Sequence, residues 1–295
     1  MPWRIADGLL RKRAESLLFR IAAVFVRLLP GRIRTAAAFP VAGLAAEGRV
    51  VAQREGVLLD LDLGDWNQRL YFLGETETRK LELMRSLLPP RGVFVDIGAN
   101  VGLHTVTMAR HLSDGGRVIA FEPMQENIAH LRRNVALNDL TNVRVEGIAL
   151  GEQEGTVDLF VPPGHRGGPT AGTRVQASEG WRKAGTARCR PLDACFEESR
   201  LDLMKLDVEG EEVAVLRGAT RVLETHQPVL VCEVTFEVVR RYVNDVLIGQ
   251  MGYRARNVRG FEELRAVPHD SCADVFLLPR GPSLMSGARR TASGS

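Results

Sequence analysis

Lysine is scarce in this chain. Only Lys12, Lys80, Lys183 and Lys205 stand among 39 basic residues, so arginine carries almost all the positive charge, a bias of composition and not of function. Cysteine is scarce too. Cys189, Cys195, Cys232 and Cys272 form no CxxC pair, and no histidine lies near the closest two. That pattern excludes a disulfide framework and a zinc site, and fits a reduced, cytosolic chain. No stretch holds 18 consecutive apolar residues, so no membrane span is expected. The apolar run nearest the start, Ile21 to Val26, is too short for a secretory core and is followed by no small-residue cleavage site. Excess charge is small as well. The net +3 divides into +6 over residues 1–40 and −3 over the rest, and a slightly acidic body is a poor footprint for duplex nucleic acid.

What is present is an ordinary globular composition, 45% hydrophobic and 25% charged over 295 residues. A chain of that length buries its core without staples and divides into one large domain or two small ones. Residues 8–29 place Leu10, Ala14, Leu17, Ile21, Val24, Phe25 and Leu28 at helical spacing, with Arg13, Arg20 and Arg27 as a separate basic stripe. This predicts a basic amphipathic helix within 1–40 that packs on its own domain or touches a membrane surface or partner. Residues 41–90 form an extension. Two alternating runs, 49–52 and 57–63, flank a turn at Glu55-Gly56, Leu70 to Leu73 adds a third strand, and 77–88 is a helix ended by Pro89-Pro90.

From residue 91 to 280 strands and helices alternate. Strands are expected at 93–95, 117–121, 143–148, 155–161, 202–206, 229–234, 252–258 and 273–278. Helices are expected at 102–112, 124–137, 211–224 and 236–250. Such βαβ alternation gives a doubly wound, mostly parallel sheet with helices on both faces. Residues 162–188 read as a long loop covering a ligand, with Trp181, His165, Arg166, Arg174, Arg182 and Arg188 available to hold it, and 281–295 as a disordered tail.

Three motifs carry chemistry. Asp96-Ile-Gly98-Ala-Asn100-Val-Gly102 follows a strand and opens a helix. Its glycines bring a ligand to free backbone N–H groups. Its spacing is not the GxGxxG of a dinucleotide site, which disfavours a nicotinamide oxidoreductase on the same fold. A pyrophosphate would be repelled by Asp96. An amino acid zwitterion suits the loop, with N–H groups toward its carboxylate and Asp96 toward its ammonium, as at the methionine end of S-adenosylmethionine. Glu122, twenty residues past Gly102 at the end of the next strand, is placed to accept both hydroxyls of a ribose. In Lys205-Leu-Asp207-Val-Glu209-Gly210 an apolar strand ends in acids, and Glu233 ends the following strand at the same rim. These three carboxylates would bind a divalent metal, hold a cationic substrate or supply a general base.

Together the segments VFVDIGANVGLHT, AFEPMQENIAHLRRNVALN, LDLMKLDVEGEEVAVLRGA and PVLVCEV resemble the FkbM family of S-adenosylmethionine-dependent methyltransferases, over about Arg49 to Leu278. The resemblance implies a Rossmann-like class I α/β fold of seven strands, the last antiparallel. It implies methyl transfer to a hydroxyl of a polyketide, sugar or similar small molecule, with Asp96, Gly98, Asn100 and Gly102 as the cofactor loop and Glu122 as the ribose acid; the lack of an NPPY-type block and of a basic stripe on the body argues for no nucleic-acid partner. His104 departs from the aromatic residue frequent in the family, and Ala149-Leu150-Gly151 lacks the acid that contacts adenine in the wider class. Asp207 is the expected base, or a ligand to a metal that is compatible with the site but not expected, with Glu209 and Glu233 beside it. The remaining alternatives are a catalytically silent binding module on the same fold and an RNA or protein methyltransferase.

Overall fold

The structure is a computed structural model that describes residues 4–5, 25, 37, 49–54, 56–73, 77–161, 179–268 and 273–280. The 8–29 helix, apart from Phe25, and the 281–295 tail lie outside the described residues. Among the described residues no helix is long and apolar enough to cross a membrane.

A short strand β1 (Arg4–Ile5) pairs antiparallel with β2 (Arg49–Arg54), and β2 pairs with β3 (Val57–Asp62) across the left-handed Gly56. Helices α1 (Trp66–Leu73) and α2 (Thr78–Leu87) follow. The Leu70–Leu73 run is therefore helix and not the expected third strand. Asp65 decides the matter: its carboxylate accepts the Gln68 N–H at 2.9 Å and its carbonyl the Arg69 N–H at 3.0 Å, which nucleates the first turn.

The main sheet is built from β4 (Val93–Ile97), β5 (Arg117–Phe121), β6 (Val143–Glu146), β10 (Leu203–Leu206), β11 (Val229–Val234), β12 (Arg254–Asn257), β13 (Glu263–Leu264) and β14 (Ala273–Leu278). Their order is β13-β12-β14-β11-β10-β4-β5-β6. The five strands from β11 to β6 are parallel, and β14, β12 and β13 join antiparallel. The sheet thus has eight strands where seven were expected. The addition is the two-residue β13 on the edge, too short to carry a sequence signal.

The central strand β4 is buried along its whole length, as a parallel strand covered on both faces should be. Its side chains alternate. Val93, Val95 and Ile97 join Met204 and Leu206 in a core packed under α5 (Glu212–Arg217), α6 (Thr220–His226) and α7 (Glu237–Tyr242). Phe94 and Leu203 join Leu59, Leu61 and Met84 in the opposite core, beneath β3, α2 and α3 (Leu103–His111). Asp96 and Lys205 continue this second face, one residue pair beyond its apolar part. Two asparagines of α4 (Gln125–Leu137) and its C-terminal boundary fasten β3 to the sheet domain. Asn134 Oδ1 accepts the Asp60 N–H at 2.8 Å and Asn138 Oδ1 the Leu58 N–H at 2.7 Å.

Two long helices expected from the sequence are interrupted. The 211–224 stretch divides at Gly218 because the carboxylate of Asp193 caps a second start, accepting the Arg221 and Val222 N–H groups at 2.8 and 2.9 Å. The 236–250 stretch widens into a π-type turn over Val243–Ile248, where the Gly249 N–H reaches the Asn244 carbonyl. In the expected 162–188 loop, the part from Arg182 is strand β9 (Arg182–Arg190). It pairs antiparallel with β8 (Gly155–Val161) and parallel with β7 (Ala149–Leu150), so Arg182 and Arg188 belong to this small sheet; 162–178 lies outside the described residues.

Candidate functional site

Parallel strands end together, and their register sets Ile97 beside Leu206 and Phe121. Beyond those ends the chain leaves a cavity of about 390 Å³. On its floor the Gly98 and Ala99 N–H groups both donate to the Phe121 carbonyl at 3.0 Å. Gly98 has φ +73°, and a Cβ there would lie 1.9 Å from the Asp207 carbonyl oxygen. Only glycine lets the loop lie this close to the end of β10. Gly102, with φ +92°, instead faces Leu131: its missing Cβ would lie 2.4 Å from Leu131 Cδ1, and it does not line the cavity.

Glu122 closes the loop from the next strand. Its carboxylate accepts the Asn100 N–H at 2.8 Å, the Met124 N–H at 3.0 Å and the Asn127 amide at 3.1 Å. Burial pushes its pKa up against these bonds. Asn100 and Asn127 line the cavity beside it, and the side-chain oxygens of both have no hydrogen-bond partner among the described residues. Beside them the wall is apolar, formed by Ile148, Ala149, Leu150 and Leu159.

Asp96 does not reach the cavity. It is fully buried, its Oδ2 accepts the Thr105 hydroxyl at 2.6 Å, and its Oδ1 lies 3.4 Å from Lys205 Nζ. Lys205 donates to the Gly98 carbonyl at 2.8 Å and stands 3.5 Å from Asp207 Oδ2. Burial opposes the lysine's charge, yet Asp207 and Asp96 raise its pKa. Burial likewise opposes ionisation of Asp207, and Lys205, Lys80 and His104 overcome it and hold its pKa below the ordinary value.

Asp207, Glu209 and Glu233 all line the cavity, as expected of one rim. Burial and the neighbouring Asp207, Glu209 and Asp274 push Glu233 up to about 8. Glu212 shapes this rim: its buried carboxylate accepts the Val208 and Gly210 N–H groups at 3.1 Å. Among the described residues no group of three or more His, Cys, Asp or Glu side chains is arranged to hold a metal ion.

Sequence reasoning missed the wall opposite Glu122. Lys80 contacts Glu77 at 2.6 Å and Asp274 at 2.8 Å, and Glu77 also meets His104 Nε2 at 2.8 Å. All four line the cavity, with Asn67 and Tyr71 of α1. Burial opposes the Glu77 charge, but Lys80 and His104 hold its pKa well below the usual range. The available signals were a rare lysine among the buried Leu81, Leu83 and Met84 of α2, and the unusual His104.

The cavity therefore offers acceptors beside an apolar slot at one end and paired charges at the other. A model of the FkbM methyltransferase domain matches residues 96–255, more than half of the chain. The methyltransferase sdnD of Sordaria araneosa is 31% identical over 160 residues, which span 44% of this chain and 61% of that protein. The hexuronic acid methyltransferase AglP of Haloferax volcanii is 29% identical over 141 residues, 47% of this chain and 54% of that one. The chain thus spans less than two thirds of the length of either relative. Among solved structures, a methyltransferase FkbM from Methylobacillus flagellatus aligns with a TM-score of 0.42 at 18% identity, covering 83% of this chain and 59% of that one.

Proposed function

The chain belongs to the FkbM methyltransferase family, and on that premise we propose that its cavity binds S-adenosylmethionine and directs the methyl group to a hydroxyl of a small molecule. The observation that carries this reading is the joining of Glu122 to the glycine loop, 2.8 Å from the Asn100 N–H, at one cavity. Two unpartnered amide oxygens stand beside that carboxylate, and a ribose diol brings the hydroxyl donors they lack. The apolar wall of Ile148, Ala149, Leu150 and Leu159 fits an adenine ring. When bound, S-adenosylmethionine supplies an electrophilic methyl group on a sulfonium.

The chain's own residues then have two tasks. One is to hold a hydroxyl in line with that methyl, and positioning of this kind is worth roughly 7–11 kcal/mol in well-oriented systems. The other is to take the hydroxyl proton, worth about 10²–10⁴-fold. Glu233 suits the second task better than Asp207. Asp207 is held as a weakly basic anion by burial-resisting lysines, whereas Glu233, at about 8, has the proton affinity a base needs. The hexuronic acid methyltransferase relative supports a hydroxylated acceptor of the sugar class. Asn67, Tyr71, Glu77 and Lys80 would form its wall.

Calorimetric titration with S-adenosylhomocysteine tests the reading. Wild-type protein should bind it, and Glu122→Ala should weaken binding by roughly 10-fold or more, since a bond to a charged group contributes about 1.5–3 kcal/mol. Methyl transfer from labelled cofactor across a panel of hydroxylated metabolites should then identify the acceptor. Binding of NAD in place of the nucleoside would return the oxidoreductase reading, and binding without turnover on any acceptor the silent module.

A further inference from the structure

A methionine-type ligand brings an ammonium as well as a ribose, and the strand-end acid Asp96 is sealed away from it. Asp96 is fully buried, bonded to Thr105, and does not line the cavity, whereas its neighbour Lys205 does. The Gly98 carbonyl, the other natural acceptor on the loop, already receives Lys205 Nζ at 2.8 Å. Lys205 thus takes up the Gly98 carbonyl, while Asp96 Oδ1, 3.4 Å from Nζ and without a hydrogen-bond partner among the described residues, is kept from a ligand by its burial away from the cavity.

Asp207 is placed differently. Its side chain is 33% exposed and lines the cavity, and its backbone presses on Gly98, so its carboxylate stands at the edge of the glycine loop. The 3.5 Å gap to Lys205 Nζ, like the 3.4 Å gap from that lysine to Asp96, is too long for a good hydrogen bond. Two carboxylates, Asp96 and Asp207, share the one lysine between them. Of the two, Asp207 is the carboxylate open to the cavity. We infer that Asp207, and not the buried Asp96, receives the ammonium of the bound amino acid, with Lys205 as the positioning residue that occupies the Gly98 carbonyl. This rests on the methyl-donor reading above. It also assigns Asp207 to binding, apart from the proton transfer given to Glu233.

The test compares two ligands by calorimetry: S-adenosylhomocysteine, and its analogue without the amino group, the adenosyl thioether of 4-mercaptobutanoate. Wild-type protein should prefer the first by roughly 10- to 100-fold, the range for a hydrogen bond to a charged group. Asp207→Asn should weaken S-adenosylhomocysteine toward the level of the analogue and leave the analogue's own affinity unchanged. A merely structural role would weaken both alike. Asp207→Ser provides a second variant with the same expectation should the first fold poorly by circular dichroism. Retention of the wild-type preference in the folded variants, or no preference in the wild type, overturns the inference while leaving the methyl-donor reading intact. Wild-type protein that binds neither ligand overturns both.

Discussion

At the scale of single residues, the unusual group is Glu233. Burial and the carboxylates of Asp207, Glu209 and Asp274 hold its pKa at about 8 against an ordinary 4.5. Between those values the folded protein keeps a proton that the unfolded chain has released, so this residue makes folding less favourable as pH rises through the window. Glu233→Gln should therefore be stabilising by an amount that grows from about pH 4.5 to about pH 8 and then levels off. Thermal unfolding at several pH values measures it, and a pH-independent difference would contradict the assignment. Turnover of the wild type should rise through the same pKa. The variant should lose that limb, with a rate fall of about 10²–10⁴-fold. The position of Glu233 was legible as a strand-end acid in Val-Cys-Glu-Val. Its raised pKa was not, because it comes from burial and from the carboxylates of Asp207, Glu209 and Asp274, which different segments of the chain bring to one rim.

At the scale of elements, the β4 turn into α3 depends on backbone contact. Gly98→Ala would set a Cβ 1.9 Å from the Asp207 carbonyl oxygen in a left-handed conformation. A strained backbone of that kind costs about 1–3 kcal/mol before the collision is counted. Urea denaturation should show a loss above that range, and binding of S-adenosylhomocysteine should fall with it. A variant as stable as wild type would mean the loop can move off β10. This turn was readable because glycine spacing after a short apolar strand has few other meanings. β5 and β14 were readable from the apolar runs Val118–Phe121 and Val275–Leu278 within them. Leu70 to Leu73 misled because a four-residue apolar run suits strand or helix equally, and the deciding group, the Asp65 cap, is polar and precedes it. The division of 211–224 was hidden for a similar reason. Its apolar period continues through Gly218, and the second helix start is made by Asp193, from a segment outside the run.

At the scale of the whole molecule, Lys80 ties α2 to β14 across the end of the sheet. Its side chain is 6% exposed and balances Glu77 and Asp274. Lys80→Met would leave Asp274 without its cation and Glu77 with His104 alone. Breaking a buried pair from one side costs roughly 3–5 kcal/mol, so the midpoint of urea unfolding should fall accordingly. A midpoint unchanged within error would show that water reaches the pair. No sequence pattern linked Lys80 to Asp274, since 194 positions separate them. The acids at the rim, by contrast, follow from one rule of parallel sheets, that ligands gather where the strands end.

The charged wall has one further meaning. Of that wall Asn67, Tyr71, Glu77, Lys80 and Asp274 lie outside the 96–255 stretch shared with the family, whereas His104 lies within it together with the glycine loop, Glu122, Asp207 and Glu233. Under the proposed function, the donor's grip lies within that shared stretch, while most of the recipient's berth is written outside it. A graft confined to the α1–α2 passage is thus the natural way to redirect the enzyme toward another recipient while the nucleoside end keeps its fit.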